Sequence, residues 1–88
     1  MYSQSVKVEN KSGLHARPAS LFVTAASKFQ SKITVQKGTD TADAKSILYL
    51  ISLEISKGTE IVISASGPDE EEAVTTLVNL IKSGMGEA

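Results

Sequence analysis

The chain has no cysteine, no tryptophan, two prolines and a single histidine among its 88 residues. Without cysteine there is no disulfide and no thiolate metal site. One histidine leaves a histidine-based metal centre without partners, so no metal and no cofactor is implied. The missing cysteine also agrees with a reducing compartment. Neither charge sign dominates: nine Lys and Arg stand against ten Asp and Glu, a formal net charge of -1. No basic surplus therefore exists to drive nucleic-acid binding. Met1-Tyr2-Ser3-Gln4-Ser5 lacks the basic stretch and apolar core of a signal peptide. The longest apolar run, Ile47-Leu48-Tyr49-Leu50-Ile51, is too short to span a bilayer, which argues against membrane insertion. The expectation is one cytoplasmic domain over residues 1–88.

What is present is clear periodicity punctuated by Gly and Pro. Ser5 to Glu9 alternates as a half-buried strand does, and Asn10 to Gly13 reads as a turn. Pro18, Phe22, Ala25, Ala26 and Phe29 recur at helical spacing. Lys32 to Gln36 returns to alternation, and Lys37-Gly38-Thr39-Asp40 predicts a hairpin turn into a short strand near Thr41 to Ala44. Ser46 stands where it would cap a second, shorter helix that ends before Lys57-Gly58. Glu60 to Ala65 is a strand with Ile61, Ile63 and Ala65 on one face. Gly67-Pro68-Asp69 opens a last helix with a buried stripe of Val74, Leu77, Val78 and Ile81, stopped at Lys82 and Gly84. Asp69 and Glu72 have the spacing of a capping box. The order β-α-β-β-α-β-α predicts an α+β fold, a four-stranded antiparallel sheet with three helices on one face.

The chemistry concentrates in Gly13-Leu14-His15-Ala16-Arg17-Pro18-Ala19, where a turn runs into a helix. A helix N-terminus presents unpaired N–H groups and the positive end of the dipole, so it favours phosphate. Histidine has an unperturbed pKa that leaves much of it neutral and nucleophilic near pH 7. Arg17 offers a charged fork for phosphate oxygens, and the amides of Ala16 and Arg17 offer two more donors. The set reads as a phosphohistidine carrier. The plain alternative is a polar loop histidine beside a solvated arginine. The helix start is open between Ala16 and Pro18, because a residue before proline avoids the helical region.

The wording Gly-Leu-His-Ala-Arg-Pro-Ala resembles the active-site signature of the HPr family, the histidine-containing phosphocarriers of the bacterial phosphotransferase system. The likeness runs through nearly the whole chain, including Lys45-Ser46-Ile47, Ser52-Leu53 and Ala65-Ser66-Gly67 to Asp69-Glu70. It implies an open-faced β-sandwich with the element order above. It implies that His15 takes a phosphoryl group on Nδ1 from phosphorylated enzyme I, charged by phosphoenolpyruvate, and passes it to the IIA domains of sugar permeases. Arg17 would stabilise the group in transit. Such a protein is a carrier, with no turnover of a small substrate on its own, and a monomer suits that task.

The resemblance further implies regulation at Ser46 by an HPr kinase/phosphorylase and contact with a catabolite-control regulator. It places partner docking on Ile47, Leu48 and Ile51, rimmed by Arg17, Ser20 and Ser52, with Leu50 and Leu53 turned inward. The chain departs from the Gram-positive pattern at Leu48 and Tyr49, where Met and Gly are usual, which touches the regulator contact. Some HPr-like paralogues lack the histidine; this chain keeps it. Other readings are a specialised carrier in a nitrogen-related or regulatory phosphorelay, a ligand-binding α+β module, and an acylphosphatase-like hydrolase. For the last, no nucleophile or carboxylate pair converges.

Overall fold

The computed structural model describes residues 1–85. The elements run β1 (Tyr2–Lys7), α1 (Ala16–Ala26), β2 (Lys32–Lys37), β3 (Asp40–Asp43), α2 (Ile47–Ser52), β4 (Glu60–Ser66) and α3 (Glu70–Lys82). The four strands form one sheet in the order β1-β4-β2-β3, with every neighbouring pair antiparallel. The expected α+β architecture is therefore present.

Strand alternation decides the layering. Val6, Ile33, Val35, Ala42, Ile61, Ile63 and Ala65 are buried beneath the helices. Their neighbours Ser3, Ser5, Lys32 and Gln36 face water. Phe22 and Ala26 of α1, Leu50 of α2, and Val74, Leu77, Val78 and Ile81 of α3 complete the core. β1 starts earlier than its alternation suggested. Tyr2 and Gln4 continue the inward face only half-buried, so polar residues hid the first turn of the pattern. The ladder to β4 runs from Tyr2 opposite Ala65 to Lys7 opposite Glu60.

Two connections match their sequence cues. Lys37 pairs with Asp40 across a two-residue hairpin turn. Gly38 takes φ +60 there while Thr39 stays at negative φ, the glycine-first arrangement of a II′ turn. α1 ends at Ala26, so Phe29 lies beyond the helix but still packs half-buried on the core. The carbonyl of Phe29 accepts from Lys45 Nζ at 2.7 Å, and Lys37 Nζ reaches the carbonyls of Leu53 and Glu54 at 2.9 and 3.1 Å. Lysines thus finish the C-terminal ends of α1 and α2, where the dipole favours cations.

The capping box does not form. Asp69 is the N-cap of α3, but its side chain makes no cap bond. Its carboxylate turns across the fold to accept from the amides of Gln30 and Ser31, each at 2.9 Å, and from the Ser31 hydroxyl. Gly67 makes room for this: a Cβ there would lie 2.6 Å from Ser31 Oγ. Three partners on a neighbouring turn outcompete one local amide. Glu70, not Glu72, reaches back, accepting from the Gly67 amide at 3.1 Å.

Candidate functional site

Residues 8–15 are laid down by the loop that precedes β4. Val8 N–H donates to the Thr59 carbonyl at 2.8 Å, and Gly58 N–H donates back to Val8 at 2.6 Å. The chain then turns tightly, with Gly13 N–H donating to the Asn10 carbonyl at 3.1 Å. Gly13 has φ +62, and a Cβ on it would stand 2.2 Å from the Ile55 carbonyl oxygen. Glycine is required here twice over, by the conformation and by the close approach. Leu14 follows, fully buried, with its N–H on Ile55 at 2.9 Å. Burying that side chain contributes about 2 kcal/mol, which anchors the segment one residue before the histidine.

His15 is the N-cap of α1, with extended backbone and no capping bond from its side chain. It is half-buried. Among the described residues the ring makes no hydrogen bond or ion pair, so its nitrogens are available. Ala16 and Arg17 are exposed in the first helical turn, where no intrahelical acceptor exists for their amides. Pro18, third in the helix, has no N–H to satisfy and is buried against the core. The question of the helix start resolves in favour of Ala16, with an irregularity: Ala16 takes φ +52. A left-handed alanine costs roughly 1–2 kcal/mol. Arg17 is already helical although it precedes Pro18, and the left-handed residue is the one before it.

Arg17 and Ser20 are exposed, and helical spacing puts Leu21 and Thr24 on the same face. Leu21 is 38% exposed, an apolar member of this face that the sequence reading passed over. α1 packs against α2, whose surface is more apolar still. Leu48 is 78% exposed, Tyr49 65% and Ile47 38%, while Leu50 is fully buried and Leu53 nearly so. The inward and outward assignment of α2 thus holds at four positions. Ile51 differs: it is half-buried and packs on the core, because it lies beside Leu50 on a six-residue helix. Tyr49 is the bulkiest exposed side chain here. Ser52 is exposed, and its hydroxyl donates to the Tyr49 carbonyl at 2.6 Å.

Ser46 is the N-cap of α2, and its carbonyl accepts the first helical bond, from Leu50 at 3.0 Å. Its hydroxyl, however, makes no capping bond. With ψ near 110 the residue is fully extended, and the cap is a backbone one. The hydroxyl is half-exposed and uncommitted among the described residues.

Among the described residues no cluster of His, Cys, Asp or Glu is placed to hold a metal, and no helix is long and apolar enough to cross a membrane. What the geometry offers is a nucleophilic ring at a helix start, two unpaired amides and a guanidinium.

This arrangement has close counterparts. A family model described as the PTS HPr component phosphorylation site matches residues 2–83. The chain is 48% identical over 81 residues to a phosphocarrier protein HPr of Haemophilus influenzae, covering 92% of this chain and 95% of that protein. It is 44% identical over 82 residues to the HPr-like protein Crh of Bacillus subtilis, covering 93% and 96%. A crystal structure of HPr-C-His from Thermoanaerobacter tengcongensis superposes with a TM-score of 0.98 at 50% identity, over 100% of this chain and 99% of that one. The open-faced sandwich and the segment around His15 are thus those of a known group, and the chain belongs to the HPr family of phosphotransferase-system phosphocarriers.

Proposed function

We propose that His15 is the phosphoryl acceptor and donor of this carrier, and that it works between phosphorylated enzyme I and the IIA domains of sugar permeases in the cytoplasm. The observation that carries this reading is the unbonded ring of His15 at the N-cap of α1, directly before two free amides and Arg17. In uptake, the Nδ1 lone pair forms the new N–P bond while the donor's bond to phosphorus breaks and its electron pair stays on the donor. The proton on Nε2 is not moved. Transfer to a IIA domain is the same displacement in reverse, with His15 as the leaving group. Such chemistry needs in-line positioning and charge stabilisation more than covalent machinery. The amides of Ala16 and Arg17 and the Arg17 guanidinium supply that stabilisation. An exposed site with few contacts also lets the group leave, which a carrier requires.

Docking belongs to the surface beside the site. Ile47 and Leu48, with the half-buried Ile51, form an apolar patch, and Ser20, Ser52 and Arg17 are its polar rim. A protein working as a monomer presents this one face to each partner in turn. Ser46 is the regulatory position for an HPr kinase/phosphorylase. Phosphate there would bring nearly two negative charges to the start of α2. Leu48 and Tyr49 bear on any contact with a catabolite-control regulator. A second reading is a specialised carrier in a nitrogen-related or regulatory phosphorelay; the 44% identity to the HPr-like protein Crh shows that relatives apart from HPr itself exist. Exchange of phosphate with enzyme I of the sugar system separates the two.

The test is intact-protein mass after incubation with phosphoenolpyruvate and active enzyme I. One acid-labile phosphoryl group is expected on the wild type and none on His15→Ala. An unchanged wild-type mass would remove the general-carrier reading.

A further inference from the structure

His15 makes no side-chain bond of its own among the described residues, so its ring is aimed by the backbone that leads to it. That backbone is held at one peptide group. The Gly13–Leu14 peptide has its N–H on the Ile55 carbonyl, at 2.9 Å, and its C=O on the side-chain amide of Asn10, at 2.7 Å. Asn10 is only 5% exposed, so this bond is shielded from water. The same residue accepts the Gly13 N–H on its own carbonyl, at 3.1 Å, and so grips Gly13 from both sides. Ile55 fixes the peptide from the β4 side and Asn10 from the β1 side. Beyond Leu14 comes His15, then the strained Ala16. A peptide plane free to tilt would carry the ring with it.

We infer that Asn10 is a positioning residue for phosphoryl transfer: its amide locks the Gly13 carbonyl and thereby sets the direction of the His15 ring. This rests on the carrier reading above. Neither a bulk stability role nor a docking role predicts the same kinetics. Asn10 lies on the loop after β1 and is buried there, so it offers a partner almost no surface of its own. Its loss should leave encounter with enzyme I intact and slow the step that follows.

The experiment measures initial rates of phosphoryl uptake from enzyme I over a range of carrier concentrations, with phosphoenolpyruvate in excess. The variants are Asn10→Ser, whose side chain is too short to reach the Gly13 carbonyl, and Asn10→Asp, which has the same shape but no donor. Both should lower the maximal rate by about tenfold, as expected for a misaimed nucleophile, with KM unchanged. Nuclear magnetic resonance of the unphosphorylated variants should show altered His15 ring signals, while α3 keeps its amide pattern. Folded variants with an unchanged maximal rate would overturn the inference, as would a rise in KM alone. Two variants that both melt below the assay temperature would assign Asn10 to stability instead. Failure of the wild type to accept phosphate would remove the carrier reading itself. A labelled wild type with equally fast variants would remove only the role of Asn10.

Discussion

The starts of α1 and α3 are opposites. At α3 three glutamates crowd the first turn, the Gly67 amide is taken by Glu70, and Asp69 is clamped to Gln30 and Ser31. At α1 the first turn has no acid, the N-cap side chain makes no capping bond, and the one charge is the cation of Arg17. Both helices carry the same positive dipole end. One is neutralised from within the chain, as stability favours. The other has no acidic side chain in its first turn, and its first residue is held in a strained conformation besides. A protein that had only to fold would dress both ends alike. The undressed one is where the proposed phosphoryl acceptor, His15, sits.

Converting one end into the other should show this directly. Arg17→Glu gives α1 an acidic first turn like that of α3. Arg17 is exposed, so no packing is lost, and the dipole term should raise stability by roughly 0.5 kcal/mol. Uptake at His15 should fall on the order of a thousandfold, because a guanidinium is replaced by a charge that repels phosphate. Urea unfolding and rapid-quench phosphorylation on the same sample would show stability and activity moving apart. If uptake were unchanged, the bare end would have no bearing on phosphate. The start of α2 is an intermediate case, with a backbone cap and an uncommitted hydroxyl. Ser46→Asp should slow uptake on the order of tenfold through repulsion at the proposed docking face. No capping bond is removed, so thermal melting should stay close to that of the wild type.

Much of this contrast is written in the sequence, though unevenly. Val74, Leu77, Val78 and Ile81 repeat at helical spacing and all four are buried. Gly38 marks its turn, and His15 stands at the helix start its surroundings suggested. What escaped were choices between near-equal partners. Asp69 had a local amide within reach by spacing, yet it serves the turn at Gln30 and Ser31, which only the folded chain brings near. Ser46 had the residue type of a side-chain cap, and its hydroxyl points elsewhere. The strained Ala16 joins the loop fixed at Gly13 and Leu14 to the start of α1, and neither segment shows that strain alone. Asn10 was legible in part: Asn at the first and Gly at the fourth position is a turn signature. That its side chain would grip the Gly13 carbonyl depends on burial, which composition does not reveal.

The clamp at α3 offers the mildest way to sharpen the comparison. The Ser31 hydroxyl, with the Gln30 amide next, holds the Asp69 carboxyl below the ordinary carboxylate range. Glu70 is lowered too, by the Gly67 amide and then by the Met1 ammonium 3.0 Å away. A group whose folded pKa is depressed stabilises the fold above its unfolded value, near 4, and loses that contribution as pH falls through the lower folded value. Stability should therefore decline below about pH 4, from the α3 end of the molecule. Asp69→Asn cannot accept at both oxygens, so it should be less stable than wild type at pH 7. The gap should close on acidification, because the wild type then loses what the variant already lacks. Urea midpoints at neutral pH and near pH 3 would measure it. A gap that stayed constant would mean that Asp69 is held by shape alone and that its charge does not matter. Phosphoryl uptake at neutral pH should be the same in both proteins, since the clamp and the histidine belong to opposite kinds of helix end.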